Sequence, residues 1–147
     1  MNDLMRQWLK ALIAGLDGET DREVRKHLMR RCGEACAEYH GSVKRVRSLR
    51  KRAADTEELL KLMNGEKDFW CGDWKRDGDV YYSICVECGC PLVAAGVAAP
   101  SPTFCECSAG WVRAVFAEIL AGPVTVELSQ AIGRGDAFCK YTVRAVE

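Results

Sequence analysis

Ser108-Ala-Gly-Trp-Val-Arg-Ala-Val-Phe-Ala-Glu-Ile-Leu-Ala-Gly-Pro-Val-Thr-Val-Glu-Leu-Ser129 changes its hydrophobic period part-way along. Trp111, Val112, Val115, Phe116, Ile119 and Leu120 recur at helical spacing, with Arg113 and Glu118 on the other side and Ser108 placed as the cap. Ala121-Gly122-Pro123 stops that helix. Val124, Val126 and Leu128 then alternate with Thr125, Glu127 and Ser129, the period of a strand with one buried face. Downstream, Gly133 to Asp136 turns the chain and Phe138 to Val146 returns as a second strand. On it Cys139 shares the face of Tyr141 and Val143, the inward one.

Immediately upstream lies the chemistry. Cys85-Val-Glu-Cys88-Gly89-Cys90-Pro91 and Cys105-Glu106-Cys107-Ser108 put five of the nine cysteines within 23 positions. Val80 to Cys85 reads as a strand, paired through the Asp77-Gly78 turn with the segment that follows Phe69. Pro91 to Pro102 is a loop of small residues.

The amino-terminal half is helical. Leu4, Met5, Trp8, Leu9, Leu12 and Ile13 form a stripe over residues 3 to 15 that should dock on the core, ended by Leu16-Asp17-Gly18. Thr20 and Glu23 have capping-box spacing and open a helix to about Arg31, where Cys32-Gly33-Glu34-Ala35-Cys36 marks its end. If the helix ran on through Gly33, Cys32 and Cys36 would share one face and could chelate a metal; otherwise they pack as small apolar residues. The only histidines, His27 and His40, flank this pair. Lys44 to Arg52 is a basic run on a helix carrying Val43, Val46 and Leu49, with no interleaved aromatic residue, so it reads as a solvated face and argues against a nucleic-acid partner. Asp55 and Glu58 cap a short helix through Met63 that Asn64-Gly65 ends.

Overall, 147 residues suffice for one domain, with residues 1–65 as its helical half and 66–147 as its Cys-rich half. Lys plus Arg and Asp plus Glu are each 21, so no global field selects an acidic or basic partner. No apolar run reaches the length of a membrane span, and the opening residues lack a secretory signal, which reads as a cytoplasmic protein. In that reducing compartment nine cysteines point to metal ligation, reactive thiols or packing rather than a disulfide framework. A small-molecule ligand or substrate and a second copy of the chain are the partners left.

Cys88, Cys90, Cys105 and Cys107 supply four thiolates, the complement of a tetrahedral zinc or an iron-sulfur cluster, with Cys139 and Cys85 as substitutes. Cys105 and Cys107 also precede a helix whose positive end favours a thiolate, so Cys107 is a candidate nucleophile and Glu106 or Glu127 a candidate base. A third reading has Cys88–Cys90 and Cys105–Cys107 exchange between thiol and disulfide as a redox sensor.

Cys88-Gly-Cys-Pro91, Cys105-Glu-Cys-Ser-Ala-Gly-Trp111, Gly122-Pro-Val-Thr-Val-Glu-Leu128 and Gly135-Asp-Ala-Phe-Cys-Lys-Tyr141, with Arg31-Cys-Gly-Glu-Ala-Cys36, resemble the L-2-amino-thiazoline-4-carboxylic acid hydrolase-like family of small bacterial proteins. The pattern is distantly similar to the 4-vinyl reductase domain, a small-molecule-binding module whose metal-associated cysteines match Cys107 and Cys139. The resemblance implies an α+β fold, with the Trp111 helix packed on an antiparallel sheet and the amino-terminal helices alongside. With the thiol cluster it reads as a zinc site beside a small-molecule pocket; the alternative that the resemblance implies is a hydrolase that opens a cyclic carbon-nitrogen ring with a reactive cysteine or metal-activated water.

Overall fold

A computed structural model describes residues 2–19 and 21–147, with only the backbone of Glu19. Four helices come first: α1 (Asp3–Glu19), α2 (Arg22–Tyr39), α3 (Ser42–Arg50) and α4 (Thr56–Gly65). Strands β1 (Lys75–Asp77) and β2 (Val80–Cys85) follow, then the one-turn α5 (Pro91–Ala94), the long α6 (Glu106–Ile119), β3 (Val124–Gln130), a 3-10 turn at Ile132–Arg134 and β4 (Cys139–Ala145). The fold is α+β. The strands form one antiparallel sheet in the order β1-β2-β4-β3.

The alternating strands behave as their period requires. Val124, Val126 and Leu128 of β3 and Cys139, Tyr141 and Val143 of β4 are buried, and α6 lays Val112, Val115, Phe116 and Ile119 against that face. Each such side chain contributes about 1.5–3 kcal/mol through removal from water. Val43, Val46 and Leu49 of α3 and Leu59, Leu60 and Met63 of α4 extend the same core. The basic run on α3 is tied down in part. Arg47 and Arg50 pair with Glu118, and Arg50 donates to the carbonyls of Glu118 and Ile119 at the C-terminal end of α6. Among the described residues no helix is long and apolar enough to cross a membrane.

Several boundaries move, each for a long-range reason. The first helix runs through Gly18 to Glu19, and its stripe is largely open: Leu4 is 76% and Trp8 62% exposed, while Ile13 and Leu16 reach a small cluster of Met29, Ala98 and Phe104. Thr20, the expected cap, lies outside the described residues; Asp21 caps α2 by accepting from the Glu23 and Val24 amides. That helix does not stop at Gly33. Gly33 is instead where α2 meets α6, for a side chain there would run into the Cys107 carbonyl and the Trp111 nitrogen, and Gly110 on α6 is pressed in the same way against Arg30. The Asp55–Glu58 cap forms as expected, with Asp55 accepting from the Glu58 amide at 2.8 Å. The first arm of the hairpin is only three residues long, since Trp70 to Trp74 passes irregularly beside β2 before β1 begins. Gly78, at φ 63°, opens the two-residue turn.

Candidate functional site

Where the C-terminal half of α2, the start of α6 and the Cys85 end of β2 come together, they enclose a cavity of about 550 Å³. Eight of the nine cysteines line it: Cys36, Cys71, Cys85, Cys88, Cys90, Cys105, Cys107 and Cys139. The sequence cluster is therefore a spatial one, enlarged by Cys36 and Cys71.

An aromatic wall faces these sulfurs. Trp70 stacks on Trp111 at 4.7 Å between ring centroids and on Trp74 at 5.6 Å, while Tyr141 meets Trp70 edge-on at 5.1 Å. Three of the four polar ends are bonded: Trp70 Nε1 donates to Ser83, Trp111 Nε1 to Ser42, and Tyr141 Oη to Ser108 Oγ, which donates in turn to the Cys105 carbonyl, while Trp74 Nε1 is buried without a partner among the described residues. Ser108 thus serves the wall from inside the first turn of α6, and Cys105, not Ser108, occupies the cap position. At the rim, Arg45 pairs with Glu66 at 2.7 Å and lies over Phe69, so little of its charge is left for a ligand. His40 also stands at the rim, while His27 is exposed elsewhere on α2.

Two cysteines are already joined. Cys71 and Cys85 form a disulfide, which withdraws Cys85 from any thiolate set and departs from the expectation of a wholly reduced chain. Proximity decides this: the irregular 70–74 segment crosses the end of β2, bringing two residues 14 apart to a Cα separation of 5.3 Å. The Cys88–Cys90 and Cys105–Cys107 pairs are free thiols.

Three of the four thiols expected to share one metal are split between two packing clusters. Residues two apart at a helix start point to different sides, so Cys105 and Cys107 diverge. Cys107, with Cys90, packs beside Met29, Ala98 and Phe104, whereas Cys105, with Cys71, Cys85 and Cys139, packs on the main core. The electrostatics run across that divide: Cys107 is influenced by Cys90, Cys36 and Cys32 ahead of Cys105, Cys105 by Cys139 and Cys88, and Cys90 by Cys88. Cys107 and Cys139, the pair matched to a metal by the 4-vinyl reductase resemblance, fall in different groups. Among the described residues no three His, Cys, Asp or Glu side chains are already gathered as a bound metal would gather them.

Nor does the helix end produce a reactive thiolate. Burial pushes the Cys36, Cys90 and Cys105 thiols up, and that of Cys107 up to about 12, so desolvation outweighs the dipole of α6. Neutral thiols make a soft, polarisable wall rather than nucleophiles. Of the candidate bases, Glu106 is buried between Arg30 at 3.0 Å and Arg134 at 2.8 Å, fastening α6 to α2 and the β3–β4 connection. Glu127 is on the outward face of β3. Neither lines the cavity.

A family of unknown function, DUF6144, matches residues 2–146. The chain belongs to that family. No curated protein matches it. Among solved structures, this DUF6144 chain resembles the phenol-responsive sensory domain of the transcription activator PoxR, determined with phenol. The TM-score is 0.58 at 12% identity, over 96% of this chain and 74% of that one. The likeness is one of fold.

Cys71 escaped the sequence reading of the site, and Cys36 was read as a possible ligand with Cys32 but not joined to this cluster. Cys36 left one signal, its four-residue spacing from Cys32; Cys71 left none, since only the chain crossing over β2 brings it in.

Proposed function

We propose that this DUF6144 chain is a small-molecule-binding domain whose cavity takes a compact, neutral, largely apolar ligand of aromatic character. The observation that carries the reading is the walled cavity itself: about 550 Å³, within the range of roughly 300–1,000 Å³ typical of ligand sites, faced by Trp70, Trp111 and Tyr141 on one side and protonated thiols on the other. Both surfaces are polarisable. Arg45 is already neutralised by Glu66, which disfavours an anionic ligand, and the acidic residues in the lining, Asp68 and Glu87, also disfavour an anion. The shared fold with a sensory domain that responds to phenol supports the same reading, with sensing rather than turnover as the outcome.

The test is a titration of intrinsic tryptophan fluorescence with phenol and a panel of substituted phenols and indoles, since the stacked Trp70 and Trp111 report occupancy directly. Saturable quenching by at least one compound is expected. Trp111→Leu, checked for folding by circular dichroism, should weaken that compound about tenfold through loss of roughly 1.4 kcal/mol of ring contact. Absence of saturation across the panel, or equal affinity in the folded variant, overturns the reading.

A further inference from the structure

Between two anchors the chain crosses the Cys85 end of β2 without backbone pairing. Phe69 is buried in the core at one end, and at the other Trp74 exchanges two hydrogen bonds with the Asn64 side chain, at 2.8 and 2.9 Å. From Trp70 to Asp73, among the described residues, no backbone group bonds to another. β1 pairs with β2 only as far as Tyr82, so the crossing covers a sheet edge that has no ladder partner from Ser83 to Cys85. Two side-chain links fasten it there: Trp70 Nε1 donates to Ser83 Oγ at 3.1 Å, and Cys71 is bonded to Cys85. That disulfide lines the cavity and is next in sequence to Trp70, the ring that stacks on both Trp74 and Trp111 and meets Tyr141 edge-on.

We propose that Cys71–Cys85 is a redox-active site, opened by a dithiol reductant, and that its state sets whether Trp70 is held in the cavity wall. The consequence for a ligand rests on the small-molecule reading above; the chemistry does not. Cys71 is half-buried and Cys85 only 1% exposed, so Cys71 Sγ is the atom an incoming thiolate reaches. The Cys-rich loop leaves that sulfur uncrowded: Gly89 faces it, and a side chain there would come within 2.8 Å of Cys71 Cβ and 3.3 Å of its Sγ. Attack forms a bond from the reductant's sulfur to Cys71 and breaks the Cys71–Cys85 bond, leaving the electron pair on the Cys85 sulfur, which takes up a proton. The reductant's second thiolate then displaces the Cys71 sulfur, which is protonated in turn. Two electrons and two protons pass to the protein, and the dithiol leaves as a disulfide. The other seven cysteines are free thiols and are unchanged by this step. With the bond open, residues 70–73 keep only the indole bond to Ser83 and ring contacts, so ligand binding must re-order them. Ordering a single backbone residue costs about as much as a tenfold change in affinity.

Dithiothreitol is the reductant, added to the full chain, with alkylation and peptide mapping to follow Cys71 and Cys85. Both should become alkylated while the helical circular dichroism is kept. The indole N–H resonance of Trp70, assigned by its loss in Trp70→Phe, reports the crossing without any ligand. It should shift on reduction and return on reoxidation, while that of exposed Trp8 stays in place. Cys71→Ser should show the reduced-state resonance with or without dithiothreitol. The phenol or indole that binds the oxidised chain should bind the reduced chain about tenfold more weakly. A bond that resists dithiothreitol in the folded chain, loss of the helical signal on reduction, an unmoved Trp70 resonance, or equal affinity in the two states overturns the proposal. If no compound binds the oxidised chain, the ligand reading fails, and alkylation with the Trp70 resonance still decides the redox site.

Discussion

Gly110→Ala sets two physical effects of opposite sign against each other. Alanine is the better helix former by about 1 kcal/mol, and Gly110 is inside α6, so local propensity alone predicts stabilisation. Packing predicts the reverse. A Cβ on Gly110 would lie 2.5 Å from the carbonyl carbon and 2.6 Å from the Cα of Arg30, and closer still to its carbonyl oxygen. Ordinary carbon contacts need about 3.5–4.0 Å, so the two helices must part by roughly 1 Å. A gap of that size forfeits between a quarter and a half of the dispersion energy of each facing pair, along the most extensive helix–helix contact in the protein. It also pulls Arg30 from Glu106, both of them buried. A net loss of about 2–4 kcal/mol is expected after the propensity gain is subtracted. Gly33→Ala should behave alike, since its Cβ would stand 2.7 Å from the Trp111 nitrogen. Gly15→Ala is the control: it is in α1 with nothing within 4 Å of the added atom, and should be stabilising or neutral. Urea unfolding followed by tryptophan fluorescence measures all three. A Gly110→Ala variant as stable as the parent would refute the close crossing and, with it, the placement of Cys32 and Cys36 beside Cys107.

Tyr141 gives a pH signature. Burial holds its phenol well above the ordinary value of 10.0, so above pH about 10 the unfolded chain releases a proton that the folded chain retains, and stability falls by about 1.4 kcal/mol per pH unit until the folded group also titrates. Tyr141→Phe should remove that component, seen as a smaller drop in urea midpoint between neutral and alkaline pH; an unchanged drop would place Tyr141 in water. The Cys71–Cys85 disulfide closes a short loop, and Cys71→Ser should cost about 3 kcal/mol under non-reducing conditions; identical midpoints would mean that the bond does not form.

The α6–β3–β4 unit was legible because its signals are local: a 3.6-residue stripe, a stop at Gly122-Pro123, and alternation at period two. Capping at Asp55 was legible for the same reason. Gly33 was not, because glycine inside a helix looks the same whether it ends the helix or admits a neighbouring backbone, and only α6 distinguishes the two. The α1 stripe shows a comparable limit. Its periodicity specifies an amphipathic helix, but which of its residues find a partner depends on where Phe104 and Ala98 come to rest.

What the sequence determined by itself is where sulfur is concentrated, at the entrance to the one helix that anchors the core. Tertiary structure decided which sulfurs meet. Neighbours in sequence, Cys105 and Cys107, are turned apart by the helix that begins between them, while residues as distant as Cys36 and Cys107 are brought to one cavity by a glycine-lined crossing. Helical and strand periods are fixed over a few residues by backbone geometry; the partners of a thiol or a carboxylate are fixed by packing across the whole chain. Glu106, read as a base, is instead a buried bridge between Arg30 and Arg134 for that reason.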